Sequence, residues 1–184
     1  MQHPQLDIDA RTYNGETPLT IALTSGYNET AELLIEKGAD VNATGKRGST
    51  PLFIACHKGC RDIAKLLVER GADVNARYKN DLTALILAAQ EGHTEVVKLL
   101  LQHPQLDINA KSWKGTSALQ IALKLRHFDI AQALIDGGAE LGQKAMMLAV
   151  ESRDLAIVKL VLKHDANINI QSINGDPPLT KALT

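Results

Sequence analysis

Gly48-Ser49-Thr50-Pro51-Leu52-Phe53-Ile54-Ala55 decides how this chain folds, because its pattern returns along the sequence. Upstream it reads Gly15-Glu16-Thr17-Pro18-Leu19 followed by Ile21-Ala22. Downstream it is worn to Asp81-Leu82-Thr83-Ala84-Leu85 with Leu87-Ala88, then to Gly115-Thr116-Ser117-Ala118-Leu119 with Ile121-Ala122. Matching tails lie between these phrases: Gly38-Ala39-Asp40-Val41-Asn42-Ala43 and Gly71-Ala72-Asp73-Val74-Asn75-Ala76. Ala22, Ala55, Ala88 and Ala122 follow one another at 33, 33 and 34 residues. A fixed period of this size specifies stacked units, none of which can bury its apolar face alone.

Each unit spells out its own local structure. Thr17-Pro18 starts a helix: the hydroxyl satisfies orphan backbone N–H groups, and proline suits the first helical turn. Leu19, Ile21 and Ala22 supply a short apolar face, and Gly26, Gly59 and Gly92 stop their helices where a left-handed residue is favoured. A second helix runs through Ala31, Leu33, Leu34 and Ile35, with counterparts Ala64, Leu66, Leu67 and Val68. Gly38 and Gly71 end it. Two departures break the rule. Gln102-His103-Pro104-Gln105-Leu106 lacks the Gly-Ala pair and adds one residue. Ala149 then follows Ala122 by only 27 residues, so Gly138-Ala139-Glu140-Leu141-Gly142-Gln143-Lys144 leads almost directly into the next helix, about six residues short. Ala182 restores the spacing of 33.

The Thr-Pro-Leu phrase, its following alanine and the Gly-Ala-Asp-Val-Asn-Ala tail resemble the ankyrin-repeat family over essentially the whole chain. The resemblance implies an all-α solenoid of stacked helix-turn-helix repeats with projecting β-hairpin fingers, forming one domain over residues 1–184. Residues 1–10 then read as the tail of a preceding repeat, since His3–Ala10 nearly duplicates His103–Ala110. Full repeats cover 11–43, 44–76, 77–110 and 111–140, a shortened one 141–169, and a half repeat 170–184; the chain reads as a segment of a longer array. The histidine usual after Thr-Pro-Leu in the family is replaced by Thr20, Phe53, Ile86, Gln120 and Met147. Tighter apolar packing is therefore expected where relatives have polar bonding, and Met146 and Met147 are expected in the core beside the shortened segment. The resemblance also marks Asn42, Asn75, Asn109 and Asn169 as positions hydroxylated in some animal relatives.

Bulk composition narrows the function. Apolar residues make up 45% and aromatics only 3%, so alanine and branched aliphatics must fill the interior. A formal charge of −1 names no partner. No secretory leader and no apolar run of membrane-spanning length is present. Two cysteines without a leader point to a reducing, cytoplasmic setting rather than a disulfide framework. There is no P-loop, no G-x-S-x-G, no H-E-x-x-H and no dinucleotide fingerprint, so the reading is non-enzymatic, with no cofactor. Cys56-His57-Lys58-Gly59-Cys60 offers three zinc-ligand types. However, Cys56 takes the packing position of Leu23 and Ala89, Gly59 breaks helical geometry before Cys60, and a structural zinc needs a fourth ligand. Packing cysteines are the preferred reading, and no metal is expected.

The resemblance places recognition on the concave face built by finger tips and first helices. Carried onto this chain, the variable positions include Arg11, Tyr13, Lys46, Arg47, Arg77, Lys79, Lys111, Trp113 and Lys114. Seven of these are basic, against Glu16 at a neighbouring variable position. First-helix edges add His57, Lys58 and Lys124 against Glu91, while Glu29, Glu32, Glu36, Asp62, Glu69 and Glu95 fall on second helices. A near-neutral chain thus carries a charge dipole across its width, the arrangement that steers an oppositely charged partner. Trp113 is either an exposed anchor or a ring lying against the next finger under a lysine stem. The expectation is a monomeric module binding a partner protein with an acidic segment. Alternatives are a receptor for an anionic small ligand or nucleic acid, in which aromatics stack on bases beside Arg and Lys, or a regulatory segment of a larger enzyme or channel.

Overall fold

The computed structural model describes residues 7–45 and 48–164. Lys46, Arg47, the sequence duplicated at 3–6, Asn169 and the half repeat at 170–184 lie outside the described residues. Ten α-helices follow in chain order: α1 (Pro18–Ser25), α2 (Asn28–Glu36), α3 (Pro51–Lys58), α4 (Arg61–Glu69), α5 (Ala84–Glu91), α6 (Thr94–Leu101), α7 (Ala118–Leu125), α8 (Phe128–Asp136), α9 (Gln143–Glu151) and α10 (Leu155–Lys163). They form two layers: α1, α3, α5, α7 and α9 each pack on the next, and α2, α4, α6, α8 and α10 do the same behind them. The array is the all-α repeat solenoid that the period specifies.

The helix starts are chemical. Thr17, Thr50, Thr83 and Ser117 stand in extended backbone, and each side-chain oxygen accepts from the amide three residues on. At two repeats the bond is reciprocated: Thr20 Oγ1 accepts from Thr17 N at 2.9 Å, and Gln120 Oε1 from Ser117 N at 3.4 Å. This corrects the expectation of apolar substitution at the family's histidine position. Thr20 and Gln120 complete capping boxes, Ile86 is the fully buried apolar residue among them, and Phe53 packs on Tyr78 with ring centroids 4.4 Å apart. Met146 is buried as expected, whereas Met147 is only half-buried.

The first helices end in left-handed backbone, with φ of 80°, 70° and 80° at Gly26, Gly59 and Gly92. Arg126 and Arg153 hold the same conformation at 62° and 56°. The carbonyls of Ala22, Ala55, Ala88 and Ala122 accept from the amides of Tyr27, Cys60, His93 and His127, closing each helix onto the next. Those alanines are buried with Leu19, Leu52, Leu85 and Leu119, in a core continuous through all five helix pairs. Ile21 and Leu33, expected on the apolar face, are 37% and 54% exposed. Among the described residues no helix pair lies against that flank of the first repeat.

Asparagine binds successive repeats together. Asn42 Oδ1 accepts from Asp73 N at 2.9 Å while its Nδ2 donates to Gly71 O at 3.0 Å. Asn75 repeats this with Asp107 N at 2.8 Å and Gln105 O at 2.7 Å, and Asn109 Oδ1 accepts from Glu140 N at 2.8 Å. Asp9 takes the same place towards Asp40 N. Asp40, Asp73 and Asp107 in turn accept from the amides of Asn42, Asn75 and Asn109, fixing each turn from within.

Candidate functional site

The fingers that project ahead of the first helices are tight turns rather than long hairpins. Four main-chain bonds of the same type close them: Thr12 N to Glu16 O, Gly45 N to Ser49 O, Tyr78 N to Leu82 O and Ser112 N to Thr116 O, all 2.8–3.1 Å. Gly15, Gly48 and Gly115 turn the chain at φ of 79°, 85° and 69°. In the third finger Asn80 and Asp81 do so instead, at 59° and 56°. Asparagine and aspartate are the non-glycine residues that enter this region most readily, because their short polar side chains bond locally.

Adjacent fingers are fastened to one another. Arg11 Nη1 donates to Gly15 O of its own finger at 3.1 Å and to Thr44 O of the next at 2.9 Å. Arg77 Nη1 donates to Lys111 O at 3.2 Å and lies 3.9 Å from the Asp81 carboxylate. Trp113 N donates to Asn80 O at 2.9 Å. Two of the arginines singled out by sequence therefore hold neighbouring fingers, and Arg77 is partly neutralised by an acid that a count of variable positions leaves out. Arg11 and Arg77 precede their turns at equivalent places, and in the structure each reaches the following repeat.

The remaining described cations and aromatics face water. Tyr13 is fully exposed at the first finger, and Trp113 is 63% exposed at the fourth. Lys114 Nζ sits 5.2 Å from the centroid of the Trp113 ring, so the indole is bracketed by its own lysine but not covered. Lys79 and Lys111 are exposed. On the first helices His57 Nδ1 lies 3.9 Å from Glu91 Oε1, while Lys58 and Lys124 stand exposed. Behind, the acids differ in commitment. Asp62, Glu69 and Glu95 pair locally with Arg61, Lys65 and Lys98. No ion pair engages Glu29, Glu32 or Glu36 among the described residues, so the acidic side of the dipole is concentrated on α2.

The cysteine-histidine cluster disperses to separate neighbours. Cys56 is completely buried, and burial, reinforced by nearby Cys60, pushes its thiol up to about 12. Cys60 Sγ faces Asn28 Oδ1 at 3.8 Å. His93 Nε2 lies 3.0 Å from His57 O and His127 Nδ1 lies 2.9 Å from Ala89 O, so both imidazoles lock a second helix to the preceding repeat.

A family model described as ankyrin repeats (3 copies) matches residues 2–78, 76–145 and 109–172. Among curated proteins, the B-cell lymphoma 3 protein homolog of Mus musculus is 29% identical over 84 residues, covering 42% of this chain and 19% of that protein. The chain thus aligns with less than a fifth of that relative's length. No described helix is long and apolar enough to cross a membrane.

Proposed function

We propose, from the premise that this chain belongs to the ankyrin-repeat family, that it is a non-enzymatic module whose concave finger face binds an acidic segment of a partner protein. Arrays of this family are interaction modules, and the finer assignment rests on one observation. Bonds tie the first finger to the second and the third to the fourth, yet Tyr13, Lys79, Lys111, Trp113 and Lys114 face solvent with little internal use. Fingers fastened in pairs have less ordering entropy left to lose on binding. An exposed indole with Lys114 beside its ring supplies both anchor area and attraction for carboxylates. Lys46 and Arg47 belong to the same row by sequence. The module works as a monomer in the cytoplasm on this reading, in keeping with two free cysteines.

The test is affinity capture from a lysate by the chain and by its Lys79→Glu, Lys114→Glu form, followed by kinetics with the recovered partner. Trp113→Ala should cost roughly 2 kcal/mol or more, and the charge reversal should slow association and flatten its salt dependence. Glu32→Lys and Glu95→Lys on the opposite layer should leave binding unchanged. Loss of binding in the outer variant with retention in the finger variant would put recognition on the wrong layer. The exposed indole beside lysines also suits a nucleic acid, stacked on the ring; RNA binding that falls steeply with salt would select that reading.

A further inference from the structure

The finger row has a missing member. From Gly71 the chain takes thirteen residues to reach the first residue of α5, Ala84, and in them it builds a finger. From the equivalent Gly138 it reaches Gln143, the first residue of α9, in five. Glu140 N still bonds Asn109 Oδ1, so the fifth helix pair is docked in register. Only its finger is gone. One stacked repeat occupies about 10 Å, which is the width of the notch this leaves beside the fourth finger.

The bonds between fingers show what that notch leaves unmet. Arg11 reaches forward to Thr44 O, and Arg77 reaches forward to Lys111 O. Lys111 is the next residue in that series, and among the described residues no carbonyl of a following finger is there to receive it. Asn80 O accepts from Trp113 N. Lys114 stands where Asn80 stands one repeat earlier, and among the described residues its carbonyl has no following amide. Among the described residues the fourth finger is therefore the last of the row, with one cation and one main-chain acceptor that no following finger engages. The floor continues the theme. Leu125 is 45% exposed at the position held by Lys58 and Glu91 in earlier repeats. Beside it a cleft between α7 and α9 is lined by Lys124, Arg126, Leu148 and Glu151 among others.

We propose that this notch is the docking site of an extended acidic segment of a partner protein, which takes the place of the absent fifth finger. A strand pairs about 4.8 Å from the edge it joins and alternates its side chains. Main-chain amides of the segment donate to Lys114 O, and its carboxylates meet Lys111 and Lys124. Alternate apolar side chains lie against Trp113 and Leu125. The helix floor Ala118–Leu125 spans about 10 Å, so a segment of roughly eight residues, about 27 Å long, reaches from the finger tip past Leu125. Lys111 and Lys114 are exposed on the fourth finger, and Lys124 and Arg126 outnumber Glu151 in the cleft at the far end of α7, which selects an acidic occupant over a basic one. This inference rests on the proposed recognition face and assigns a place on it.

The single tryptophan of the chain reports on the notch directly. The probe is an eight-residue blocked peptide alternating glutamate with valine and threonine, titrated against the full chain by Trp113 fluorescence and amide chemical shifts. The expected result is saturable binding with shifts at 111–116 and at Leu125, and no binding of the same peptide with lysine in place of glutamate. Transplanting the six-residue finger of the third repeat between Leu141 and Gly142 fills the notch while leaving every finger cation and Trp113 in place. Peptide affinity should then fall by about tenfold or more. Lys111→Ala, which leaves the repeat frame intact, should weaken it several-fold. No fluorescence or shift response at millimolar peptide overturns the proposal, as does equal binding by the finger-filled chain. If the filled chain still captures the partner through Trp113, the notch is refuted and the wider finger face stands. If neither chain responds to Trp113→Ala, both fail.

Discussion

Replacing Arg126 and Arg153 by glycine, separately, tests whether the left-handed position that ends each first helix governs stability. Both arginines sit at positive φ, 62° and 56°, where the three other repeats have glycine at 70–80°. Relief of left-handed strain should return about 1 kcal/mol at each site. The sites differ in what the side chain gives back. The Arg126 guanidinium lies 5.6 Å from the centroid of the Phe128 ring, and an exposed pair of this kind contributes roughly 0.5–1 kcal/mol. Arg153 is exposed, and among the described residues no ring lies beside it. Arg153→Gly should therefore raise the urea midpoint by about 0.5 M, taking a slope near 2 kcal/mol/M, and Arg126→Gly by half of that or less. Arg126→Ala is the decisive control, since it removes the ring contact but keeps the strain, and it should lower the midpoint. Equilibrium urea unfolding followed by circular dichroism, with slopes compared among variants, reads all three. If Arg153→Gly lowers the midpoint, or Arg126→Ala raises it, the strain argument is wrong.

Three further outcomes follow from particular contacts. Asn75→Ala strips one acceptor and one donor from the turn between repeats and should destabilise by about 1–3 kcal/mol, with faster hydrogen exchange at the Asp107 amide; unchanged exchange there would refute the ladder. Gly26→Ala meets open space and bears only the left-handed cost, whereas a Cβ at Gly59 would come within 2.6 Å of the His93 ring; thermal unfolding should rank Gly59→Ala as clearly the worse. Cys56 keeps its proton to about pH 12 when folded, while an unfolded thiol loses it near 8.5. Its contribution is thus complete below about pH 8.5 and declines as pH rises towards 12, by up to about 1.4 kcal/mol per unit. Cys56→Ala, the residue used at Ala89, should flatten the fall in urea midpoint between pH 8 and 10, and an unaltered fall would discount the burial argument.

The fold was legible because each repeat restates the same physics. Thr17, Thr50, Thr83 and Ser117 announce helix starts, glycines announce the stops, and the returning alanines show which faces touch. The six missing residues before Lys144 were equally plain, since an insertion or loss in a periodic sequence is visible as a break in spacing. The capping partners Thr20 and Gln120 were readable from the Thr-x-x-Thr and Ser-x-x-Gln spacing, yet comparison with the family's histidine drew attention to apolar packing instead. What the residues did not disclose was commitment. Arg11 and Lys79 look alike as charges on a finger, and only the arrangement of the next finger shows that the first donates to a neighbouring carbonyl. Likewise Asp81 counts as one more polar tip residue until its carboxylate is found facing Arg77. Charge patterns on a repeat surface can be read from sequence; which charges are already engaged depends on contacts across repeats.

That distinction between engaged and unengaged groups bears on how a repeat protein acquires a specific surface. Where an arginine stands at the start of a finger, at Arg11 and Arg77, it is used up by a carbonyl of the next one. Removing one finger does not disturb the helix layers, because α7 and α9 still pack and Glu140 N still finds Asn109 Oδ1. It does disturb the finger row, where Lys111 keeps its charge and loses the place into which its predecessors donate. A deletion thus creates an unmet donor and acceptor at low cost to the core, whereas a new cation grafted onto an intact finger would begin fully solvated and in competition with the adjoining repeat. The repeat bearing the deletion also has Gly142 rather than threonine ahead of α9, with no side-chain cap. Sequence irregularity, weaker local capping and exposed Leu125 and Trp113 therefore coincide at one junction, which is what sets the proposed docking place apart among the described repeats.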